Sequence, residues 1–186
     1  MPPEEILKDA AHKMDRAVDV AREEFSTVRT GRATPAILNR IMVDYYGSPT
    51  PLNQLASFSV PEPRLLVIQP FDKSAVSAME KAIMQSDLGL TPSNDGNLIR
   101  LSFPQLTEER RRELTKVVRD RAEEGRVAVR NVRRHAKEEL EKLEHDHVIS
   151  EDDLARSEKD LQRRTDEHVA KIDDLAARKE KELMEV

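Results

Sequence analysis

The residues with the clearest chemical meaning in this 186-residue sequence form a basic row between Thr107 and Lys137. This stretch holds eleven lysines and arginines against six acidic residues, although the whole chain has a formal net charge of -5. The row recurs at steps of three, four and seven residues and comprises Arg112, Lys116, Arg119, Arg126, Arg130, Arg133 and Lys137, with Arg134 near its edge. On a helix these spacings confine the side chains to an arc of about 100°. Because guanidinium groups pair bidentately with phosphate oxygens, the row predicts contact with a nucleic-acid backbone.

A second interpretation of the row stays open. Charged faces of long helices are often solvated, or they pair with acids on a neighbouring helix. Residues 138–186 hold seventeen acids against nine basic residues and could supply such partners. Glu123 also interrupts the row from within. Spacing therefore leaves a phosphate-binding row and a row of ion pairs as alternatives.

Catalytic and metal-binding chemistry finds little support in the residue types. The absence of cysteine excludes disulfides, thiol catalysis and cysteine-bound zinc within this chain. His145 and His147 flank Asp146, but residues two apart do not share a helix face, so a solvated loop is the simpler interpretation. We find no phosphate-cradling glycine loop and no recognisable nucleophile setting. We expect no enzymatic activity, no cofactor and no bound metal.

A few aromatic side chains could stack on nucleic-acid bases. Tyr45, Tyr46 and Phe58 are the candidates. They lie in short segments rich in strand-forming residues, which favours packing in a core or a turn.

The first helix is indicated by apolar residues that recur every three or four positions. We expect it to begin near Pro3, with Glu4 and Glu5 in its first turn, and to end near Thr30 and Gly31.

The pattern changes between residues 31 and 105, which hold eight of the ten prolines and four of the five glycines. Short apolar runs separated by turn residues predict a small α+β domain. The expected elements are strands over Ile41–Tyr46, Ser57–Val60, Leu65–Gln69 and Leu98–Phe103, turns over Tyr46–Pro49 and Asn94–Asn97, and a helix over Ser74–Ser86 with Ser74 as a possible cap.

Two further helices follow. The second opens at Thr107 and ends near His145, and it carries Gly125 within its apolar stripe. A buried mid-helix glycine costs roughly 1 kcal/mol relative to alanine, so we expect a close helix crossing there. The third begins after Ser150, with Asp153 near the capping-box position. Its predicted apolar stripe comprises Leu154, Leu161, Val169, Ile172, Leu175 and Leu183. The short connection predicts that these two helices are antiparallel neighbours.

The predicted fold class is α+β, with an elongated three-helix bundle and a small inserted domain. The bundle should comprise residues 1–30 and 106–186, and the inserted domain residues 31–105. Two chain crossings join them, which suggests a rod with a lobe at one end and a hinge at Thr30, Gly31, Arg32, Pro104, Gln105 and Leu106.

Six blocks of the sequence, in order and spread from Val28 to Asp153, resemble the ribosome recycling factor family. The blocks are Val28–Ala33, Tyr45–Leu52, Glu80–Ile83 with Ser86–Leu90, Leu106–Arg111, Arg126–Arg134 and Ile149–Asp153. The resemblance implies an L-shaped protein with a three-helix-bundle arm and a smaller mobile domain.

The resemblance also implies partners and sites. Members of the family bind the large ribosomal subunit, with its 23S-type rRNA, and separate the subunits of post-termination ribosomes together with elongation factor G and GTP. The match places Arg130 and Arg133 in the main rRNA-contacting segment and makes Arg111, Arg29 and Arg32 supporting contacts. Arg130 and Arg133 also belong to the basic row, which spacing alone defines.

Other expectations concern location and assembly. No apolar run approaches the roughly 18 residues that span a bilayer, and the first residues resemble neither a signal nor a transit peptide. We expect a cytoplasmic monomer without membrane contact. The competing functions are a helical scaffold or chaperone, which needs exposed apolar grooves, and a generic RNA-binding module, which should bind free RNA as well as it binds ribosomes.

Overall fold

The computed structural model describes residues 1–185, and the chain forms two compact units. One unit comprises Met1–Val28 together with the chain from Glu108 onward, and the other comprises Arg29–Thr107. The elements in chain order are α1 (Pro3–Ser26), β1 (Met42–Tyr45), β2 (Ser48–Pro51), β3 (Ala56–Glu62), β4 (Leu65–Pro70), α2 (Val76–Met84), β5 (Pro92–Asn94), β6 (Ile99–Ser102), α3 (Glu108–His145) and α4 (Glu151–Met184). None of the described helices contains an apolar segment of the length that a bilayer requires.

The first unit is a bundle of α1, α3 and α4, each of which packs against the other two. Its core contains the apolar stripes predicted for the first two helices, including Met14, Val18, Val118 and Val129. The prediction of three long amphipathic helices is therefore confirmed.

Helix α1 ends at Ser26, about four residues before the predicted end at Thr30 and Gly31. The Ser26 hydroxyl donates to the carbonyl of Glu23, and the Thr27 hydroxyl donates to the carbonyl of Glu24. Such side-chain bonds compete with the helical hydrogen-bond pattern. The helix stops at this hydroxyl pair before the chain reaches the glycine.

Gly125 lies where the three bundle helices approach closely. A Cβ atom built on Gly125 would lie 3.1 Å from Cδ1 of Ile172 on α4 and 3.4 Å from Cβ of Ala21 on α1. These distances leave little room for a side chain, so the close crossing predicted from the sequence is confirmed.

The core of α4 differs from the predicted apolar stripe. Leu161, Ile172 and Leu183 are buried as expected, but Leu154, Val169 and Leu175 are only half-buried. Two polar residues, Thr165 and His168, are buried alongside the apolar ones.

His168 bridges α4 to α1. Its Nε2 lies 2.7 Å from Oδ1 of Asp15, and its Nδ1 lies 2.5 Å from the backbone carbonyl oxygen of Arg164. Thr165 donates its hydroxyl to the carbonyl of Leu161. Both buried polar groups are thus partnered, as burial requires.

The start of α4 has the predicted capping box. The Ser150 hydroxyl accepts a hydrogen bond from the Asp153 amide at 3.1 Å, and the Asp153 carboxylate accepts one from the Ser150 amide at 3.4 Å. This exchange satisfies amide groups that the first helical turn leaves free.

The second unit contains two antiparallel sheets. The larger has the strand order β3-β4-β6-β5, and the smaller is the β1–β2 hairpin. The core of the second unit includes Leu38, Val43, Leu66, Ile68 and Met79.

Two strands of this unit, β2 and β5, are not among the predicted elements. The turn predicted over Tyr46–Pro49 is shorter in the structure, because only Tyr46 and Gly47 form it, with φ of 50° and 78°. Positive φ at both positions is typical of the two-residue hairpin turn. Strand β2 contains two prolines and β5 begins with one, which is compatible with strands that pair on one side only.

The helix of this unit also begins differently from the prediction. A 3-10 turn over Lys73–Ala75 leads into α2. The Asp72 carboxylate accepts from the Ser74 amide at 2.9 Å and from the Ser74 hydroxyl at 2.7 Å. Asp72 is therefore the capping residue at this start, in place of the predicted Ser74.

Candidate nucleic-acid interface

The basic row lies along one side of α3, next to the buried stripe. Most of its side chains are exposed, whereas Arg126 and Arg133 are half-buried. Those two members lie at the side of the arc nearest the bundle core. Helix α3 therefore brings the predicted row together, and its members differ in the partners that they meet.

Two arginines of the row pair with acids on α4. Arg126 Nε donates to Asp173 Oδ1 at 2.6 Å, and Arg119 Nε donates to Glu180 Oε1 at 2.9 Å. For these two residues the ion-pair interpretation describes the folded chain. They connect α3 to α4 across an open groove between the two helices.

Arg126 has two carboxylate partners. Besides Asp173, it meets Glu123, whose Oε2 accepts from Nη1 of Arg126 at 2.9 Å. The hydrogen bond to Asp173 is the main cause that raises the pKa of Arg126, and the bond to Glu123 adds to it, while burial acts in the opposite direction. Glu123 thus neutralises part of the row from within.

Arg130 and Arg133 are bound less tightly. Arg130 Nη1 lies 3.4 Å from Oε1 of Glu123, a carboxylate that Arg126 already engages. Arg133 donates from Nη1 to the amide oxygen of Gln162 at 2.9 Å, so α4 offers it a neutral partner. Neither guanidinium is neutralised by an acid on α4 among the described residues.

Lys116 and Arg134 are two further basic residues whose charge is available to a binding partner. Neither side chain forms an ion pair or hydrogen bond with another residue in the part of the chain that the structure describes. Toward the two ends of the row, Arg112 pairs with Glu108 at 2.7 Å and Lys137 with Glu141 at 3.5 Å. Exposed pairs of this kind contribute little stability and exchange easily for another anion.

Arg111 faces another direction from the row. At 100° per residue its side chain falls on the core side of α3, and it is half-buried. Its Nε is buried and has no hydrogen-bond partner among the described residues. The family resemblance includes Arg111, while the periodicity of the row does not.

Arg29 and Arg32 belong to the second unit. The Arg29 guanidinium donates to the backbone carbonyl of Leu88 at 2.5 Å and to that of Asp87 at 3.2 Å. Arg32 is exposed. The contacts of Arg29 show that it has a structural partner, which its position in the sequence did not indicate.

The predicted hinge residues also lie within the second unit. Gly31 has φ of +77°, and a Cβ built on it would lie 3.3 Å from Cγ of Leu106 and 3.7 Å from the carbonyl oxygen of Pro104. The two chain crossings therefore pack against each other at Gly31. A side chain there would be strained by the backbone and crowded by Leu106.

Metal ligands do not cluster in the described part of the chain. No group of three or more histidine, cysteine, aspartate or glutamate side chains is placed to hold an ion there. His147 has φ of 57°, so the chain turns tightly directly after α3 ends at His145.

The sequence matches a known family over most of its length. The family model described as ribosome recycling factor matches residues 21–184. The chain is 57% identical over 182 residues to the ribosome-recycling factor of Cutibacterium acnes, covering 98% of this chain and 99% of the relative. It is 57% identical over 182 residues to that of Halalkalibacterium halodurans, covering 98% of each.

This chain belongs to the ribosome recycling factor family.

Solved structures of the family have the same fold. A solution structure of the ribosome recycling factor has a TM-score of 0.83 at 47% identity and covers 100% of this chain and 99% of its own. Models for the T. thermophilus ribosome recycling factor and the E. coli elongation factor G bound to the E. coli post-termination complex provide a second match. That chain has a TM-score of 0.70 at 46% identity, with 100% of both chains covered.

These matches confirm the family resemblance and the fold class, a three-helix bundle with an inserted α+β unit. Membership of the ribosome recycling factor family, however, does not show which arginines pair with acids of the same chain. It also does not show which arginines remain available to bind phosphate. Gln162 is one residue that the sequence did not flag, since a lone glutamine carries no periodic signal. Its hydrogen bond to Arg133 becomes visible only once α3 and α4 are packed.

Proposed function

We propose that this chain acts as a ribosome recycling factor. It binds the large subunit of post-termination ribosomes through 23S-type rRNA and, with elongation factor G and GTP, promotes separation of the subunits. The observation that carries the proposal is the family match over nearly the whole chain. The T. thermophilus relative bound with elongation factor G to a post-termination complex supports the same partners.

The proposed rRNA contact is a subset of the basic row. Lys116, Arg130, Arg133 and Arg134 are free of ion pairs to α4 in the described structure and can accept phosphate without breaking the bundle. Arg112 can exchange its exposed Glu108 partner for phosphate. Arg119 and Arg126 contribute less to rRNA binding, because phosphate must compete there with Glu180 and Asp173. Arg111, Arg29 and Arg32 remain candidates from the family resemblance.

The proposal assigns binding and force transmission to this chain, and the chemistry of GTP hydrolysis to elongation factor G. The bundle would anchor on rRNA, and elongation factor G would push the second unit. We propose that bending occurs at the two crossings named above. Gly31 and Leu106 pack together and would move as one. The backbone dihedral angles that change on bending would therefore lie just outside that contact, toward Val28 and Thr107. Such a protein would work as a monomer in the cytoplasm.

The competing functions make different demands. A scaffold or chaperone needs apolar grooves, but the groove between α3 and α4 is lined mainly by charged side chains such as Arg119, Glu123 and Asp173. A generic RNA-binding module should bind free rRNA as tightly as it binds large subunits.

The test is equilibrium binding of the purified chain to isolated large subunits and to protein-free 23S rRNA over a range of salt concentrations. The proposal predicts that subunits bind more tightly than free rRNA, by an order of magnitude or more. It also predicts that the logarithm of the binding constant falls steeply and linearly with the logarithm of salt concentration, because several phosphates release counterions. Equal affinity for free rRNA would favour the generic module, and a salt slope near zero would contradict the phosphate contacts.

A further inference from the structure

Helices α3 and α4 carry opposite charges at matching positions along the groove between them. On α3, arginines recur at steps of seven residues, at Arg119, Arg126 and Arg133. On α4, acids recur at the same step, at Asp166, Asp173 and Glu180. Because seven residues make about two helical turns, the members of each series face nearly the same direction. The two series therefore predict three ion pairs between the helices.

The first two arginines take the partners that this spacing predicts, with nitrogen–oxygen distances of 2.9 Å to Glu180 and 2.6 Å to Asp173. In the same register Arg133 should meet Asp166. No ion pair joins these two residues in the part of the chain that the structure describes. Nη1 of Arg133 instead donates to Oε1 of Gln162 at 2.9 Å, about one helical turn away from Asp166.

The Gln162 amide is bonded to both members of the missing pair. While its Oε1 accepts from Arg133, its Nε2 donates to Oδ1 of Asp166 at 2.8 Å. A guanidinium can only donate hydrogen bonds and a carboxylate can only accept them. This orientation of the amide is therefore the one that satisfies both neighbours, since a flipped amide would set donor against donor and acceptor against acceptor. The amide thus lies between the two charges in a defined orientation.

This bridge leaves Arg133 in a different electrostatic state from Arg126. The carboxylate of Asp173 compensates the charge of Arg126, so phosphate must first displace it. The carbonyl oxygen of Gln162 carries no net charge, and it engages a single N–H of the Arg133 guanidinium among the described contacts. Anchoring that side chain before phosphate arrives also reduces the entropy that is lost on binding.

We propose that Gln162 is a positioning residue for rRNA binding, which keeps Asp166 from neutralising Arg133 and orients the guanidinium toward phosphate. In the absence of the amide, Asp166 would form the third ion pair across the groove, and the basic row would lose an available cation. The inference deepens the proposed function, because it concerns the same contact with the large subunit.

Equilibrium binding of full-length variants to isolated large subunits, over a range of salt concentrations, tests the proposal. Gln162→Met keeps the length of the side chain and removes the amide. We expect this variant to bind about threefold to tenfold more weakly than the wild type. Its plot of log binding constant against log salt should be shallower by about one, because one phosphate contact fewer releases counterions. Its melting temperature should equal or exceed that of the wild type, because the freed Asp166 pairs with Arg133.

The double variant Gln162→Met/Asp166→Asn shows whether Gln162 acts through the carboxylate. With that charge removed, Arg133 is no longer neutralised, so affinity should return to within about twofold of the wild type and the salt slope should recover. The matched control is Gln162→Met/Asp174→Asn, which removes an exposed carboxylate of α4 whose partner, Arg178, lies on the same helix. The control should bind as weakly as Gln162→Met alone.

A purely structural role for Gln162 predicts a different set of results. Gln162→Met would then lower the melting temperature, leave the salt slope unchanged and gain no affinity from Asp166→Asn, and this outcome would overturn the proposal. Wild-type affinity in Gln162→Met, or equal recovery with Asp174→Asn, would overturn it as well. In each of these cases the wild type still binds large subunits, whereas failure of the proposed function would abolish binding by the wild type itself.

Discussion

Arg126 and Arg133 lie about two turns apart on α3, and their surroundings differ although their positions in the sequence pattern are equivalent. Asp173 and Glu123 both engage Arg126, whereas Arg133 meets only the neutral amide of Gln162 among the described residues. An arginine with two carboxylate partners must give them up to bind phosphate. An arginine with an amide partner gains charge compensation when phosphate arrives. The two residues should therefore respond differently to truncation.

We predict that Arg133→Ala weakens binding to large subunits by roughly tenfold to a hundredfold, the range expected for loss of a charge-assisted hydrogen bond. Its free energy of unfolding should change by less than about 0.5 kcal/mol. The control Arg126→Ala should lose about 1 kcal/mol of stability, since it breaks a partly exposed ion-pair network, and less than about threefold in affinity. Binding titrations and chemical denaturation measure both quantities. Unfolding of the bundle by Arg133→Ala would show that this arginine is structural.

A second prediction at this scale concerns the helix crossing. Gly125→Val should lower the free energy of unfolding by about 1–3 kcal/mol, because its methyl groups would overlap Ile172 and Ala21. The matched control is Ala128→Val, at an exposed position of the same helix. Thermal unfolding followed by circular dichroism compares the two variants. Equal stability of both would mean that the crossing tolerates a side chain.

Single residues show where sequence reasoning succeeds and where it stops. The role of Gly125 was predictable, because a glycine within the apolar stripe of a long helix lets a neighbouring helix approach closely. The burial of His168 was not, since its partner Asp15 is distant in the sequence and becomes adjacent only through packing of α1 against α4. The same limit applies to Arg126, whose neutralisation depends on which acids of α4 face it.

Helices and caps could be predicted from the sequence where the residues that indicate them all lie within one segment. The capping box at Ser150 and the three amphipathic helices were predicted because the interacting residues lie within one or two helical turns. Strands β2 and β5 were missed because proline-containing edge strands lack alternation and depend on a partner strand for their hydrogen bonds. The end of α1 was misplaced because hydroxyl groups at Ser26 and Thr27 compete with the helix before Gly31 is reached.

The turn between β5 and β6 makes the stability of its unit depend on pH. The Asp95 carboxylate accepts from the amides of Leu98 and Asn97 and from Arg100, and these bonds lower its pKa from 3.8 to about 2. Because the folded pKa lies below the unfolded one, the carboxylate stabilises the fold above about pH 4. That contribution is lost as the pH falls toward about 2.

We expect Asp95→Asn to lower the melting temperature at about pH 5 and to differ less and less from the wild type as the pH falls from about 4 to about 2. Asparagine can still accept the turn hydrogen bonds, but it does not titrate and does not pair with Arg100. Melting curves of both proteins across this range measure the difference. A difference that is independent of pH would contradict the role assigned to the ionised carboxylate.

For the whole molecule, the family and the fold class could be predicted because six blocks occur in order between Val28 and Asp153. Which members of the basic row are paired and which are available could not be predicted, since this depends on contacts between α3 and α4. The structure indicates that the row combines bundle clamps, represented by Arg119 and Arg126, with available cations, represented by Arg130 and Arg133. We propose that ribosome splitting depends on these available cations.

Light scattering of 70S post-termination complexes tests this dependence. The wild type, Arg133→Ala and Arg126→Ala are each mixed with the complexes, elongation factor G and GTP, and the rate of subunit separation is recorded at matched protein concentrations. We predict that the wild type and Arg126→Ala separate the subunits only when the factor and GTP are both present, and that Arg133→Ala is slower by about tenfold or more. Separation by Arg133→Ala at the wild-type rate, or no separation by the wild type, would show that the proposed role of these cations is wrong.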